Sequence, residues 1–283
     1  MGESPSGSEK GKQAAGLVFD PSAAPATPTD AATVIVLRDE ASGPPSIFCV
    51  KRHPKSSFMG GAVVFPGGKV DPQDGDPAFA GPSSSDATAT AILVAAARET
   101  IEEAGLLPAH GAADAVRHVR ARLVEGATFL EALKERELVL DFGRLVPFAR
   151  WITPEAERRR FDARFFLMRL PDGQVAEPCQ TETTTGFWAP ASEVLARFAA
   201  GEIQLAPPTT RCLELLTAVE SVEEAFALAA RQSLQAICPR FVAGDPPMLV
   251  IPGDPEHTVA ERYVEGPTRF VLRDGRFVSE DPA

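Results

Sequence analysis

The sequence predicts an α/β fold, and three observations carry that reading. Several short runs of alternating or β-branched apolar residues read as strands. The segment Ala87 to Ala104 has helical spacing, and Val271-Leu272-Arg273-Asp274-Gly275-Arg276-Phe277-Val278 reads as a terminal hairpin. Asp-Gly between two apolar runs suits a tight primed turn, whose positive backbone angles those residues accept.

In chain order, residues 1–29 combine Gly, Ser, Ala, Pro and Thr without periodicity and are expected to form a flexible leader. Order is expected to begin with Ala31-Ala32-Thr33-Val34-Ile35-Val36-Leu37, with Ile47 to Arg52 as its partner strand across the Ala41 to Pro45 turn. A short strand then runs from Ala62 into Phe65-Pro66-Gly67-Gly68. Pro66 restricts its exit, and the two glycines permit close backbone approach. Residues 71–86, rich in Pro, Gly, Ser and Asp, read as a surface insertion and not as another helix. Asp86 is placed to cap the helix that follows and Gly105 to stop it.

Ala112 to Leu123 and Phe129 to Arg136 read as further helices. Leu145 to Pro154 and Arg159 to Leu170 return to strand-like periods, Gly186 to Pro190 ends another strand, and Ala191 to Gly201 starts a short helix. Helical spacing is expected again over Thr209 to Leu216 and Val222 to Ile237 before the terminal hairpin. No internal repeat is evident. The reading divides the chain into the leader (1–29), a domain over 30–217 that includes the 71–86 insertion, and an accessory helix and hairpin extension over 218–283 packed on the same domain.

The chain of 283 residues is long enough to bury a substantial core. Its net charge of −11 argues against a stable nucleic-acid partner or an anionic membrane surface, both of which need a positive field. A small phosphorylated ligand stays compatible, because arginines or a divalent ion reverse the sign inside a pocket. Cys49, Cys179, Cys212 and Cys238 lack paired metal-site spacing and read as buried thiols. With no apolar signal segment and no run of about 18 apolar residues, a reduced, cytoplasmic setting is expected.

The chemistry concentrates in Arg98-Glu99-Thr100-Ile101-Glu102-Glu103-Ala104-Gly105-Leu106. On a helix Glu99 and Glu103 share a face, with Glu102 flanking it, while Leu93, Val94, Ala97, Ile101 and Ala104 are expected on the opposite, packed side. Three carboxylates so placed can coordinate Mg2+ or Mn2+, and they repel one another without a cation. The acids alone leave a solvated Glu-rich face as the alternative. The preceding Phe65-Pro66-Gly67-Gly68 loop shifts the balance toward a site.

Together these residues resemble the Nudix hydrolase signature. Gly68 matches its opening glycine, and Arg98, Glu99, Glu102, Glu103, Gly105 and Leu106 match its end, with Thr100 at an apolar position. The chain departs from the signature in one respect. Twenty-nine residues separate Gly68 from Arg98 where the ordinary motif has thirteen, an insertion of 16, and the position of the first family glutamate is held by Thr90. That carboxylate is either missing or supplied from elsewhere, with Asp86 and Asp71 as candidates.

The resemblance implies an α/β/α sandwich with a mixed sheet. It also implies metal ligation by Glu99 and Glu103, by Glu102 directly or through water, and by a Gly67 or Gly68 carbonyl. Arg98 resembles the family arginine that braces the acidic helix; a local pair with Glu102 is the alternative. Glu182 resembles the distal carboxylate that some members place opposite that helix, as a catalytic and metal-binding group. Lys51, Arg52, Arg159, Arg160 and Phe161 are candidate substrate contacts: the cations for phosphate oxygens, Phe161 for pocket lining. Trp188 is expected to pack against the sheet.

Within the family, Phe58 to Gly68, the split signature, Arg160-Phe161-Asp162, Glu182 to Trp188 and Leu205-Ala206-Pro207-Pro208 are similar to the branch of peroxisomal-type coenzyme A diphosphatases. This implies Mg2+- or Mn2+-dependent cleavage of coenzyme A, acyl-coenzyme A or a related nucleotide, and the extension could serve a homodimer. The alternatives are hydrolysis of another nucleoside diphosphate derivative, a nucleotide-binding regulator without turnover, and a structural interaction module. The end Asp281-Pro282-Ala283 does not spell a peroxisomal address.

Overall fold

The computed structural model describes residues 12–14, 17–20, 22, 24–54, 59–79, 86–111, 113–179 and 183–282. Among them the chain runs β1 (Lys12–Ala14), β2 (Leu17–Phe19), β3 (Thr29–Arg38), β4 (Ser46–Arg52), β5 (Val63–Val64), β6 (Gly67–Lys69), α1 (Ala87–Ala104), α2 (Ala113–Val124) and α3 (Phe129–Lys134). It continues through β7 (Val146–Ile152), β8 (Phe161–Arg169), β9 (Thr183–Pro190), α4 (Ala191–Ala199), α5 (Pro207–Leu216) and α6 (Val222–Ala229), and closes with β10 (Arg240–Val242), β11 (Met248–Val250), β12 (Arg269–Arg273) and β13 (Arg276–Glu280).

The central sheet is mixed. Its order is β5-β4-β3-β8-β7, with β6 also pairing β3 and β9 pairing β4. β3 and β8 run parallel over nine residue pairs from Thr29↔Phe161 to Leu37↔Arg169, and the other pairings are antiparallel. The expected pairing of β3 with β4 is only a short base, Leu37↔Ile47 and Arg38↔Ser46. Beyond it β4 turns to β9, and β6 takes the vacated edge of β3 through Ala31↔Lys69, Ala32↔Gly68 and Thr33↔Gly67. This splay sets the glycine-rich loop against the middle of β3.

α1 lies between two layers. Ile92, Ala95, Ala96 and Ala104 pack on the sheet beside Val34 and Val36, while Val94, Ala97 and Ile101 meet Val116, Val119 and Phe129 of α2 and α3. The single apolar side expected from periodicity is therefore two sides, with the acids on the seam between them. Three consecutive alanines make this possible, since a small side chain lets helix and sheet approach closely. Asp86 caps α1 by accepting from Ala89 N at 3.0 Å, and Gly105 ends it in the left-handed conformation with φ 68°. Thr100, fully buried at the apolar signature position, satisfies its hydroxyl on the Ala96 carbonyl at 2.6 Å.

The extension shares the core with the sheet: Phe270, Phe277, Leu249 and Ile251 belong to the same cluster as Phe148, Trp151 and Leu213. α6 stops at Ala229, short of the helix expected to reach Ile237. The mostly exposed Arg231 to Gln235 stretch, with Leu234 its one large apolar residue and that one exposed, offers no apolar face to continue it. Ile237 instead pairs beside β7, exchanging backbone hydrogen bonds with Ile152 and Arg150 at 2.8 Å each. The terminal hairpin turns through Asp274 (φ 48°) and Gly275 (φ 76°), as the Asp-Gly pair predicts. Within the stretch read as a leader, Phe19 is buried and stacks on Phe241 with ring centroids 4.5 Å apart. No helix among the described residues is long and apolar enough to cross a membrane.

Candidate active site

Two glycines admit the acidic helix to the sheet edge. A Cβ on Gly67 would strike the Ala32 carbonyl and Thr33 Cα, and one on Gly68 would lie 2.5 Å from Glu99 Oε1. Backbone blocks any side chain at Gly67, whereas at Gly68 a Cβ would have to displace the Glu99 carboxylate. Gly67 N donates to Glu103 Oε2 at 3.0 Å, tying the loop to the third acid of the helix. Glu103 is only 5% exposed, whereas the side chains of Glu99 and Glu102 are 12% and 36% exposed. The acids thus grade from a buried, backbone-held carboxylate to an open one.

Arg98 sits beneath them with all five N–H donors engaged. Nε and Nη2 fork onto the two oxygens of Asp74 at 2.8 and 2.9 Å, and Nη2 also reaches the Lys69 carbonyl at 3.1 Å. Nη1 donates to Glu99 Oε1 at 2.9 Å and Glu102 Oε2 at 3.0 Å. Both the brace and the local pair read from the sequence are therefore present. Burial alone would lower the Arg98 pKa; the Asp74 hydrogen bond and the charges of Glu99 and Glu102 outweigh it and hold the guanidinium above its ordinary value.

The carboxylate opposite Arg98 is neither of the two candidates read from the sequence. Asp86 is spent as the cap of α1, and Asp71, 3.8 Å from Arg98, pairs with Lys69 Nζ at 2.8 Å. Asp74 takes the role from a short 3-10 turn, Pro72–Gly75, inside the insertion. Thr90, where the signature has its glutamate, lies in the first turns of α1, eight residues or about 12 Å along the axis from Arg98, too far for a glutamate there to reach it. The insertion returns an acid through its own loop. Asp-Pro-Gln-Asp-Gly announces a turn, but nothing local says that its second Asp is buried.

A cavity of about 550 Å³ opens over this face. Gly67, Gly68, Glu99, Glu102 and Glu103 line one part of it; Phe65, Trp151, Phe165, Pro207, Pro208 and Leu249 give it an apolar wall. Of the expected substrate contacts, Arg52, Arg159 and Phe161 line the cavity. Lys51 does not, being half-buried on β4. Arg160 also stays outside: it is buried, donating to the carbonyls of Ala26 at 2.7 Å and Thr153 at 3.0 Å, and its exposed neighbour Arg159 lines the cavity instead. Trp188 packs on Phe48 at 5.2 Å, under the Arg38 guanidinium. Phe58 and Glu182 lie outside the described residues. Pro239 and Leu249, cavity residues from the extension, were not among the expected site residues.

The donors available here are all oxygens, the kind that hard divalent cations prefer. Among the described residues no three acidic, His or Cys side chains are gathered as a metal cluster. The glutamates are instead turned onto Arg98 and Gly67 N. The donor chemistry of the carboxylates and glycine carbonyls fits such an ion.

Comparison with known proteins places the chain in one group. The domain family described as the NUDT19 Nudix domain matches residues 83–215. The crystal structure of a Nudix hydrolase from Alicyclobacillus acidocaldarius is similar at a TM-score of 0.59 and 31% identity, over 71% of this chain and 96% of that one. A putative nudix hydrolase 7 of Caenorhabditis elegans is 26% identical over 62% of this chain, and the human acyl-coenzyme A diphosphatase NUDT19 is 28% identical over 60% of it. The chain covers 56% and 62% of the lengths of those two proteins, and 72% of the chicken acyl-coenzyme A diphosphatase NUDT19, to which it is 26% identical.

Proposed function

The chain belongs to the Nudix hydrolase family, and from that premise we propose that it hydrolyses a nucleoside-diphosphate-linked substrate with the help of Mg2+ or Mn2+, the substrate being coenzyme A or an acyl-coenzyme A. The observation that carries this reading is the cavity itself, which joins an acidic, glycine-edged face to an apolar wall. A charged diphosphate with a long uncharged arm uses both parts. The names of the human and chicken relatives support the same substrate class.

Glu99, Glu102 and Glu103, with a carbonyl of Gly67 or Gly68, would hold the cation. The bound ion would offset diphosphate charge and acidify a water molecule. Arg52 and Arg159, both lining the cavity, meet phosphate oxygens and oppose the charge that develops on them. Arg52 Nε is buried without a hydrogen-bond partner among the described residues, so an anion there would satisfy it. Glu102, the most open of the three acids, would accept the proton of the attacking water. Glu103, held by Gly67 N, also keeps the helix and loop in register.

The test is a substrate panel of coenzyme A, acyl-coenzyme A, a dinucleotide and a nucleotide sugar with Mg2+ or Mn2+, comparing wild type with Glu103→Gln. The expected products are an adenosine bisphosphate and a phosphopantetheine or its acyl form, and Glu103→Gln is expected to lose about 100-fold or more in turnover. Cleavage of another compound with coenzyme A untouched rejects the substrate, and unchanged turnover in the variant rejects the cation site.

A further inference from the structure

We infer that Asp74 is the positioning residue of this site: an acid delivered by the insertion aligns Arg98 so that Glu99 and Glu102 are preset for a cation. The inference rests on the cation-binding role proposed for those glutamates and adds a group outside the family signature.

The geometry assigns the role. The Asp74 side chain is fully buried, and its oxygens accept three hydrogen bonds, from Arg98 Nε, Arg98 Nη2 and Asp71 N at 2.8 Å. A carboxylate and a guanidinium meeting edge to edge fix the guanidinium plane. With the Nε and Nη2 edge so held, Nη1 is left to point at Glu99 and Glu102, each about 3 Å away. Asp74 itself is absent from the cavity lining, so it acts through Arg98 and not on substrate.

Charge gives the fork its second consequence. Arg98 carries one positive charge, and Asp74 balances it from below. If Asp74 were neutral, that charge would fall mainly to Glu99 and Glu102, with Asp71 at 3.8 Å shared with Lys69, and an incoming cation would have to compete with the arginine for both glutamates. The buried acid thus frees the glutamates for metal while the hydrogen bonds keep them aligned. Asp71 does not substitute for it, since its carboxylate is partly exposed and engaged by Lys69.

The experiment is Mn2+ titration of the full chain, read by the electron paramagnetic resonance of free Mn2+, for wild type, Asp74→Asn, Arg98→Gln and the double variant. Steady-state kinetics on whichever diphosphate the wild type cleaves accompany it. Asp74→Asn is near in shape but cannot accept the fork, because its amide nitrogen is a donor facing a donor. It is expected to weaken Mn2+ binding about 10- to 100-fold and to lower kcat, with KM within about threefold because Asp74 does not touch substrate. The double variant is expected to lose no more than Arg98→Gln alone, the mark of one residue acting through the other.

Unchanged Mn2+ affinity in Asp74→Asn, or losses that simply add in the double variant, overturns the inference. If Asp74→Asn does not fold, Arg98→Lys reads the same contact. A lysine keeps the charge but cannot fork onto Asp74 and reach both glutamates, so its Mn2+ affinity should fall by a similar factor, and an unchanged value overturns the inference. Wild-type protein that binds Mn2+ yet leaves coenzyme A intact rejects the substrate reading alone, because the titration needs no substrate. Wild-type protein that takes up no Mn2+ rejects the cation site and this inference together.

Discussion

Gly68 and Glu99 occupy one space: a Cβ at Gly68 would fall 2.5 to 2.6 Å from all three atoms of the Glu99 carboxylate. The loop lies so near the acidic helix that a single methyl group must displace the acid. Gly68→Ala is therefore expected to leave the fold intact, because the obstructing group is the end of a flexible side chain, and to lower kcat by about 100-fold through misplacement of Glu99. Circular dichroism with steady-state kinetics checks both halves, and full activity in the variant would show that Glu99 need not stand where it does.

Adjacent arginines should separate binding from stability. Arg159 is exposed and lines the cavity, whereas Arg160 spends its guanidinium on the carbonyls of Ala26 and Thr153 and on Cys238 Sγ. Arg159→Ala should raise KM several-fold, with a smaller effect on Tm than Arg160→Ala. Arg160→Ala should lower Tm by several degrees, as expected when buried carbonyls lose a charged donor, with KM unchanged. The opposite pairing of effects would reverse the assignment.

Arg211 clips α5 to the extension. It is 1% exposed, donates to the carbonyls of Glu265 and Pro267 and to Ser279 Oγ, and pairs with Glu214 at 2.8 Å. Removing it strands the buried carbonyls, so Arg211→Ala should cost on the order of 2 to 4 kcal/mol in urea unfolding. Limited proteolysis should then cut first between residues 253 and 268. A variant as stable as wild type would show the clip to be dispensable.

Two buried thiols set an alkaline limit. Burial pushes Cys49 up to about 12 and raises Cys212 as well. Unfolded cysteine titrates near about 8.5. The native state therefore keeps protons that the unfolded state releases; the stability tied to Cys49 is complete below that value and is lost as pH rises toward about 12. Denaturation curves at increasing pH should show the decline, on the order of 1.4 kcal/mol per unit for each thiol. At pH 8 neither thiol should react with a disulfide reagent until the protein unfolds, and rapid native labelling of Cys49 would contradict its burial.

Much of the fold could be read locally. The ends of α1 follow from Asp86 and Gly105, the terminal turn from Asp274 and Gly275, and the shared face of Glu99 and Glu103 from helical spacing. Less legible were the partners at a distance. β3 takes most of its hydrogen bonds from β8, far along the chain, and the short β3–β4 base conceals that choice. The helix expected to reach Ile237 gave way because Ile237 was worth more beside Trp151 than at the end of a polar turn.

The candidate site divides in the same way. Residue order alone determined that an acidic helix would stand behind two glycines, since capping, periodicity and turn chemistry act within a few residues and leave their mark in the sequence. Tertiary structure decided that Asp74, and not Asp71 or Asp86, meets Arg98, that Arg159 and not Arg160 reaches the cavity, and that Leu249 of the extension helps to wall it. Those choices depend on which groups are buried together. A buried charge must find its partner wherever the folded chain brings one, and sequence spacing does not record that distance.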